Sequence, residues 1–113
     1  MEALQLFPQN PFPYGGMDPR HARVFGFPEA AFIGCLWNNA FFASAEDAMD
    51  ENNFFCLTKD TVERRTSLTK KQQKAVCTIL SRLGVIDIAE ETRDAWVLRL
   101  NIEEMDEITD KGL

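Results

Sequence analysis

The chain is poor in the groups that enzymes use. It has no phosphate-cradling glycine-rich loop, no H-E-x-x-H pair and no nucleophile elbow. Its only histidine, His21, stands between Arg20 and Arg23 with no serine, cysteine or acid placed to form a catalytic group, and is expected on the surface. Neither an apolar run of membrane-spanning length nor a cationic-then-apolar leading segment is present, so a cytoplasmic protein with no membrane contact is expected. Cys35, Cys56 and Cys77 are odd in number and lack C-x-x-C spacing. That argues against a disulfide framework or a zinc site and for buried free thiols. The acidic run Ser44–Asn53 holds Glu46, Asp47, Asp50 and Glu51, but it has neither the alternating ligands nor the central glycine of a calcium loop. A binding module without metal or cofactor is the expectation.

Cationic charge is also scarce. Twelve Lys and Arg face eighteen Asp and Glu, a net charge of −6. The distribution is uneven. Lys59–Arg82 holds seven positive residues against two negative, +5, and the remaining five positive and sixteen negative residues leave −11. A basic segment on an otherwise acidic chain points to contact with phosphate at one place and to electrostatic exclusion elsewhere.

With 113 residues, 45% hydrophobic and 27% charged, the chain has the composition and length of one globular domain. It divides into a Pro/Gly-rich N-terminal arm (1–24), a central domain (25–101) and an acidic C-terminal tail or short helix (102–113). Met1–Pro19 carries four of the five prolines and is not expected to hold a helix or central strand, though Leu4, Leu6, Phe7, Phe12 and Tyr14 suit it to packing as an extended arm. Pro28 suits a first helical position, and Ala31, Phe32, Cys35, Leu36 and Ala40 continue a helix with Phe41 and Phe42 near its end. Trp37 and Phe41 fall off that stripe and are expected to pack on the arm, or else to expose an apolar patch used for pairing in a homodimer. In the tail, Ile102, Met105 and Ile108 recur at spacings of three, as in a short amphipathic helix.

The organising stretch is Phe54–Arg99. A short strand ends at Leu57. Thr58 can cap a helix over 59–66, with Asp60 in its first turn. Thr66-Ser67 breaks the run, Leu68 plugs the turn, and Thr69 with Gln72 makes a capping box for a helix over 70–83. Gln72, Val76, Ile79, Leu80 and Leu83 form its expected buried stripe, which leaves Lys70, Lys71, Gln73, Lys74, Cys77, Thr78 and Ser81 outward. Gly84 stops the helix. Val85–Ile88 and Ala95–Leu98 are β-prone runs around a polar wing, Ala89–Asp94. Leu36, Val62, Leu68, Val76, Ile79, Leu80, Leu83, Ile86 and Val97 are the expected core. The pattern is mainly α with a small β wing, a winged helix-turn-helix.

The run from Leu57-Thr58 through Thr66-Ser67-Leu68-Thr69-Lys70-Lys71-Gln72-Gln73-Lys74 to Leu83-Gly84-Val85-Ile86 resembles the winged-helix N-terminal domains of phage and plasmid replication initiators and DnaD-like primosome proteins. Phe27–Ile33 is similar to their first helix, and the likeness covers roughly 25–101. It departs at the turn, where those proteins usually carry a glycine near Thr66. The resemblance implies double-stranded DNA as partner and helix 70–83 as the reading helix. Lys70, Lys71 and Lys74 would meet phosphate or groove edges, with Thr69 and Thr78 beside them. Gln73 is the candidate for an adenine contact. Arg64 and Arg65 would hold phosphates from the preceding helix, and Arg93 would reach from the wing. The acidic remainder suits another class, an acidic winged-helix protein that binds replication or host proteins, such as an assembly factor or a phage-encoded inhibitor.

Overall fold

The computed structural model describes residues 17–46 and 49–112. Among them are five helices and one three-stranded antiparallel sheet: α1 (Pro19–Phe25), α2 (Phe27–Ala45), β1 (Phe55–Thr58), α3 (Lys59–Thr66), α4 (Lys70–Arg82), β2 (Ile86–Glu91), β3 (Ala95–Leu100) and α5 (Ile102–Lys111). No helix among the described residues is long and apolar enough to cross a membrane.

The segment expected as an arm becomes helical at Pro19; the rest of that expectation, 1–16, lies outside the described residues. Asp18 caps α1 by accepting from the Arg20 backbone N–H at 2.8 Å, and Pro19 occupies the first turn. Gly26 then turns the chain with φ +106°, a region open to glycine and hostile to side chains, so α2 starts immediately. His21 is not on the surface as expected. It is 1% exposed, stacked on Trp37 with ring centroids 6.3 Å apart and tilted against Phe25. Trp37, itself only 8% exposed, therefore packs under α1 and is not available as a dimer contact. This is why α2 is buried on nearly every side, Phe32 through Asn38 without a break, and shows no single stripe.

The Phe54–Arg99 stretch folds with the expected order of elements. Thr58 Oγ1 accepts from Thr61 N–H at 3.2 Å to start α3. Ser67 takes a left-handed conformation, φ 65°, a region that glycine occupies more readily than serine. Leu68 is buried in the turn. The capping box is complete: Thr69 N–H donates to Gln72 Oε1 at 2.8 Å, and Gln72 N–H donates to Thr69 Oγ1 at 3.2 Å. β2 and β3 form a hairpin with Ile86 opposite Leu100 and Glu91 opposite Trp96, interrupted by a bulge between Ile88 and Glu90. β2 runs on to Glu91, so the tip is shorter than expected, Thr92-Arg93-Asp94. β1 pairs with the other edge of β3, giving the order β1-β3-β2. β3 is thus the central strand, and alternation turns Trp96, Leu98 and Leu100 inward.

One core joins α2, the sheet and α4, and Phe25 of α1 and Met105 of α5 belong to it. Leu36, Val62, Leu68, Val76, Leu80 and Ile86 are buried as expected. Ile79 is not, at 44% exposed; Leu83 and Val97 are half-buried, the latter because it lies on the outer face of β3. The inward side of α4 is Gln73, Val76, Cys77 and Leu80, and Gln72 is exposed. Cys56 is exposed on β1, contrary to the expectation for all three thiols. Burial pushes the Cys35 thiol up to about 11 and Cys77 up to about 12, so both stay protonated.

Candidate nucleic-acid interface

The basic helix pair is set by α3 and α4 and faced by the β2–β3 hairpin. Of the nine residues read as DNA-contacting, Arg64, Arg65, Thr69, Lys70, Lys71, Lys74, Thr78 and Arg93 are exposed. Lys70, Lys71 and Lys74 occupy the first turns of α4, where the helix dipole adds to their charge in attracting an anion. The two hydroxyls have local duties. Thr69 Oγ1 accepts in the capping box, and Thr78 donates its hydroxyl to the Lys74 carbonyl at 2.9 Å.

Gln73 is the exception, and it cannot read a base. Its side chain is fully buried. Nε2 donates to the carbonyls of Lys59 and Leu68, each at 3.0 Å, and Oε1 accepts from Trp96 Nε1–H at 3.1 Å. One amide thereby ties the start of α3, the turn and the central strand together. Every polar atom it would offer to adenine is already used inside the protein.

Charge at this face is partly matched by the protein itself. Lys59, only 6% exposed, lies with Nζ 4.7 Å from the centre of the Trp96 ring and 2.7 Å from Glu91 Oε2. The other oxygen of Glu91 accepts from Lys74 Nζ at 3.0 Å. Hydrogen bonds from Lys59 and then Lys74 hold the Glu91 carboxyl below its ordinary range. At the hairpin tip, Asp94 Oδ1 stands 3.9 Å from Lys70 Nζ. Arg64, Arg65, Lys71 and Arg82 have no ion pair among the described residues, although Arg64 donates to Thr61 Oγ1 at 3.3 Å.

Between α4 and β2 the surface opens into a cleft of about 330 Å³ lined by Lys74, Thr78, Ser81, Arg82, Glu91 and Trp96, among others. Arg82 and Glu91 are thus site residues absent from the sequence-level set. Arg82 follows Lys74 and Thr78 at helical spacing, a signal present in the sequence. Glu91 is placed by hairpin register, which no local pattern announces. Among the described residues no group of three or more His, Cys, Asp or Glu could hold a metal ion. No protein-family model, curated protein or solved structure matches this chain.

Proposed function

We propose that the chain is a winged-helix module that binds duplex DNA through the outward face of α4, in a role akin to that of replication-initiator domains. The observation that carries this reading is the exposed cationic row Lys70, Lys71 and Lys74 at the capped start of α4. Arg64 and Arg65 on α3 and Arg93 on the hairpin tip are exposed as well and would add to this charge. The strand–helix–turn–helix–hairpin order with sheet order β1-β3-β2 supports the winged-helix assignment. With Gln73 inside the core, the face offers mostly phosphate contacts and little direct base readout.

The test is fluorescence anisotropy with a labelled duplex across a salt series. Affinity should fall steeply as salt rises, because neutralised phosphates release counterions, and Lys70→Ala or Lys71→Ala should each flatten the log–log slope by about one unit. Absence of binding at low salt, or a Lys70/Lys71/Lys74 triple alanine variant that binds like the parent, overturns the reading. A second reading, an acidic winged-helix module that binds proteins, is favoured by one observation: Glu91 and Asp94 engage two of the three lysines of the row. A chain that ignores DNA at low salt supports it.

A further inference from the structure

We propose that copies of this chain associate head to tail, with the Phe42 ring of one copy seated in an apolar groove beside Ile79 of the next. The ring and the groove stand at opposite ends of α2. At its N-terminal end, Pro28 and Glu29 face Leu68, Gln72, Ala75, Val76 and Ile79 across a groove of about 160 Å³, apolar apart from Gln72 and from Glu29, whose Oε1 turns back toward Gly26. Leu68 and Val76 are buried there, whereas Ile79 is 44% exposed, and Phe27, next to Pro28 in the chain, is 70% exposed. Lys71 lies one turn before Ala75, and Arg82 lies three residues after Ile79. Both are exposed, so cations flank the α4 side of the groove.

The other end of α2 carries the complement. Phe42 is 56% exposed and held edge-on by the half-buried Phe41, with centroids 5.6 Å apart and planes at 75°. Glu46 follows one turn later, and Asp50 and Glu51 come soon after, all three exposed. An apolar knob with an anionic flank therefore matches an apolar groove with a cationic flank. The two cannot meet within one molecule, because the helix between Phe27 and Phe42 is about 22 Å long. A contact between two different patches does not close on itself as a two-fold dimer does, and can add further copies. One ring in one groove is a small contact, so the association is weak and concentration-dependent. It does not depend on DNA binding.

Sedimentation velocity of the full chain, from low micromolar to millimolar concentration, tests this. The weight-average mass should rise past that of a dimer and fall back when salt is raised. Phe42→Ser and Ile79→Ser change exposed positions, and circular dichroism checks that both variants fold. Each alone should remain monomeric. Mixed, they should form a one-to-one dimer and nothing larger, since the first variant keeps its groove and the second keeps its ring. A parent chain that stays monomeric, an assembly that stops at the dimer, variants that associate like the parent, or a mixture that stays monomeric would each overturn the proposal.

Discussion

Replacing Gln73 by leucine separates a structural role from a DNA-reading one. Leucine keeps most of the volume but removes all three hydrogen bonds of the amide. The Lys59 carbonyl begins α3 and has a helical partner as well, so it loses little. Leu68 lies ahead of α4, and its carbonyl loses a bond of ordinary strength, about 0.5–1.5 kcal/mol. The larger loss is at Trp96. Its indole is 1% exposed, and an orphaned buried N–H costs about 1–3 kcal/mol. The greater hydrophobicity of leucine offsets part of this, which leaves an expected destabilisation of about 1–4 kcal/mol in urea melts followed by circular dichroism. A double-mutant cycle with Trp96→Phe sharpens the test. Once the indole N–H is gone, Gln73→Leu should cost at least 0.5 kcal/mol less, within the roughly 0.5–3 kcal/mol range of coupled neighbours. A surface residue that reads bases would instead be nearly silent in the melt. A loss below about 0.5 kcal/mol, or strict additivity in the cycle, would refute the network.

Glu91→Gln should cost about 1–3 kcal/mol, because the buried Lys59 ammonium loses its carboxylate. It should also raise duplex affinity in anisotropy titrations by releasing Lys74; a melt identical to the parent's would show that Lys59 reaches water instead. His21 is held below its ordinary pKa by burial, which outweighs the pull of Asp18 Oδ2 at 3.8 Å from Nε2. The unfolded chain therefore takes up the proton first, and stability should decline as pH falls below about 6.5, above the carboxylate range, in a way that His21→Leu abolishes. Gly26→Ala should lower stability by about 1–3 kcal/mol in thermal melts, since φ +106° is strained for any side chain and the new Cβ would sit 2.6 Å from Glu29 Oε1. A variant that melts like the parent would mean the α1–α2 corner adapts.

The elements whose signals are local were legible in the sequence. Thr58, the Thr69–Gln72 box and Gly84 bound α3 and α4 to within a residue, because caps act over one turn. The face of α4 was harder. Gln72, Val76, Ile79 and Leu83 fit a helical stripe, and so do Gln73, Val76, Cys77 and Leu80, which lie one step round. Choosing between them by hydrophobicity favours Ile79 and puts Gln73 outside. The fold favours the reverse, since Trp96 brings a buried donor to that spot from a strand 23 residues away. No periodicity in α4 contains that donor. The burial of His21 is hidden from the sequence for a similar reason. Between two arginines it looks solvated, yet only α1 folding over Trp37 decides its burial. At Ser67 the left-handed turn is present without its usual glycine, so the missing residue was a poor guide to the missing geometry.

Charge at the candidate interface follows the same division between local and non-local signals. Counted along the sequence, Lys59–Arg82 carries +5. In the fold, Lys59 lies beneath the hairpin, and Glu91 spans it and Lys74 with its two oxygens while Asp94 approaches Lys70. The hairpin therefore returns two carboxylates to the basic face, and a phosphate approaching α4 meets less charge than the count implies. Lys59 itself is too buried to be a contact. Its role is to let one carboxylate bind the hairpin to the helix pair, so that Glu91 both fixes the shape of the face and lowers its charge. A phosphate that engaged Lys74 would compete with Glu91 for the same ammonium. Arg64, Arg65, Lys71 and Arg82 carry no such competition, and the first phosphate contacts should fall on them. Binding that needed Lys74 would have to break an ion pair, which weakens attachment to arbitrary sequence while leaving room for a site or a partner that supplies the difference.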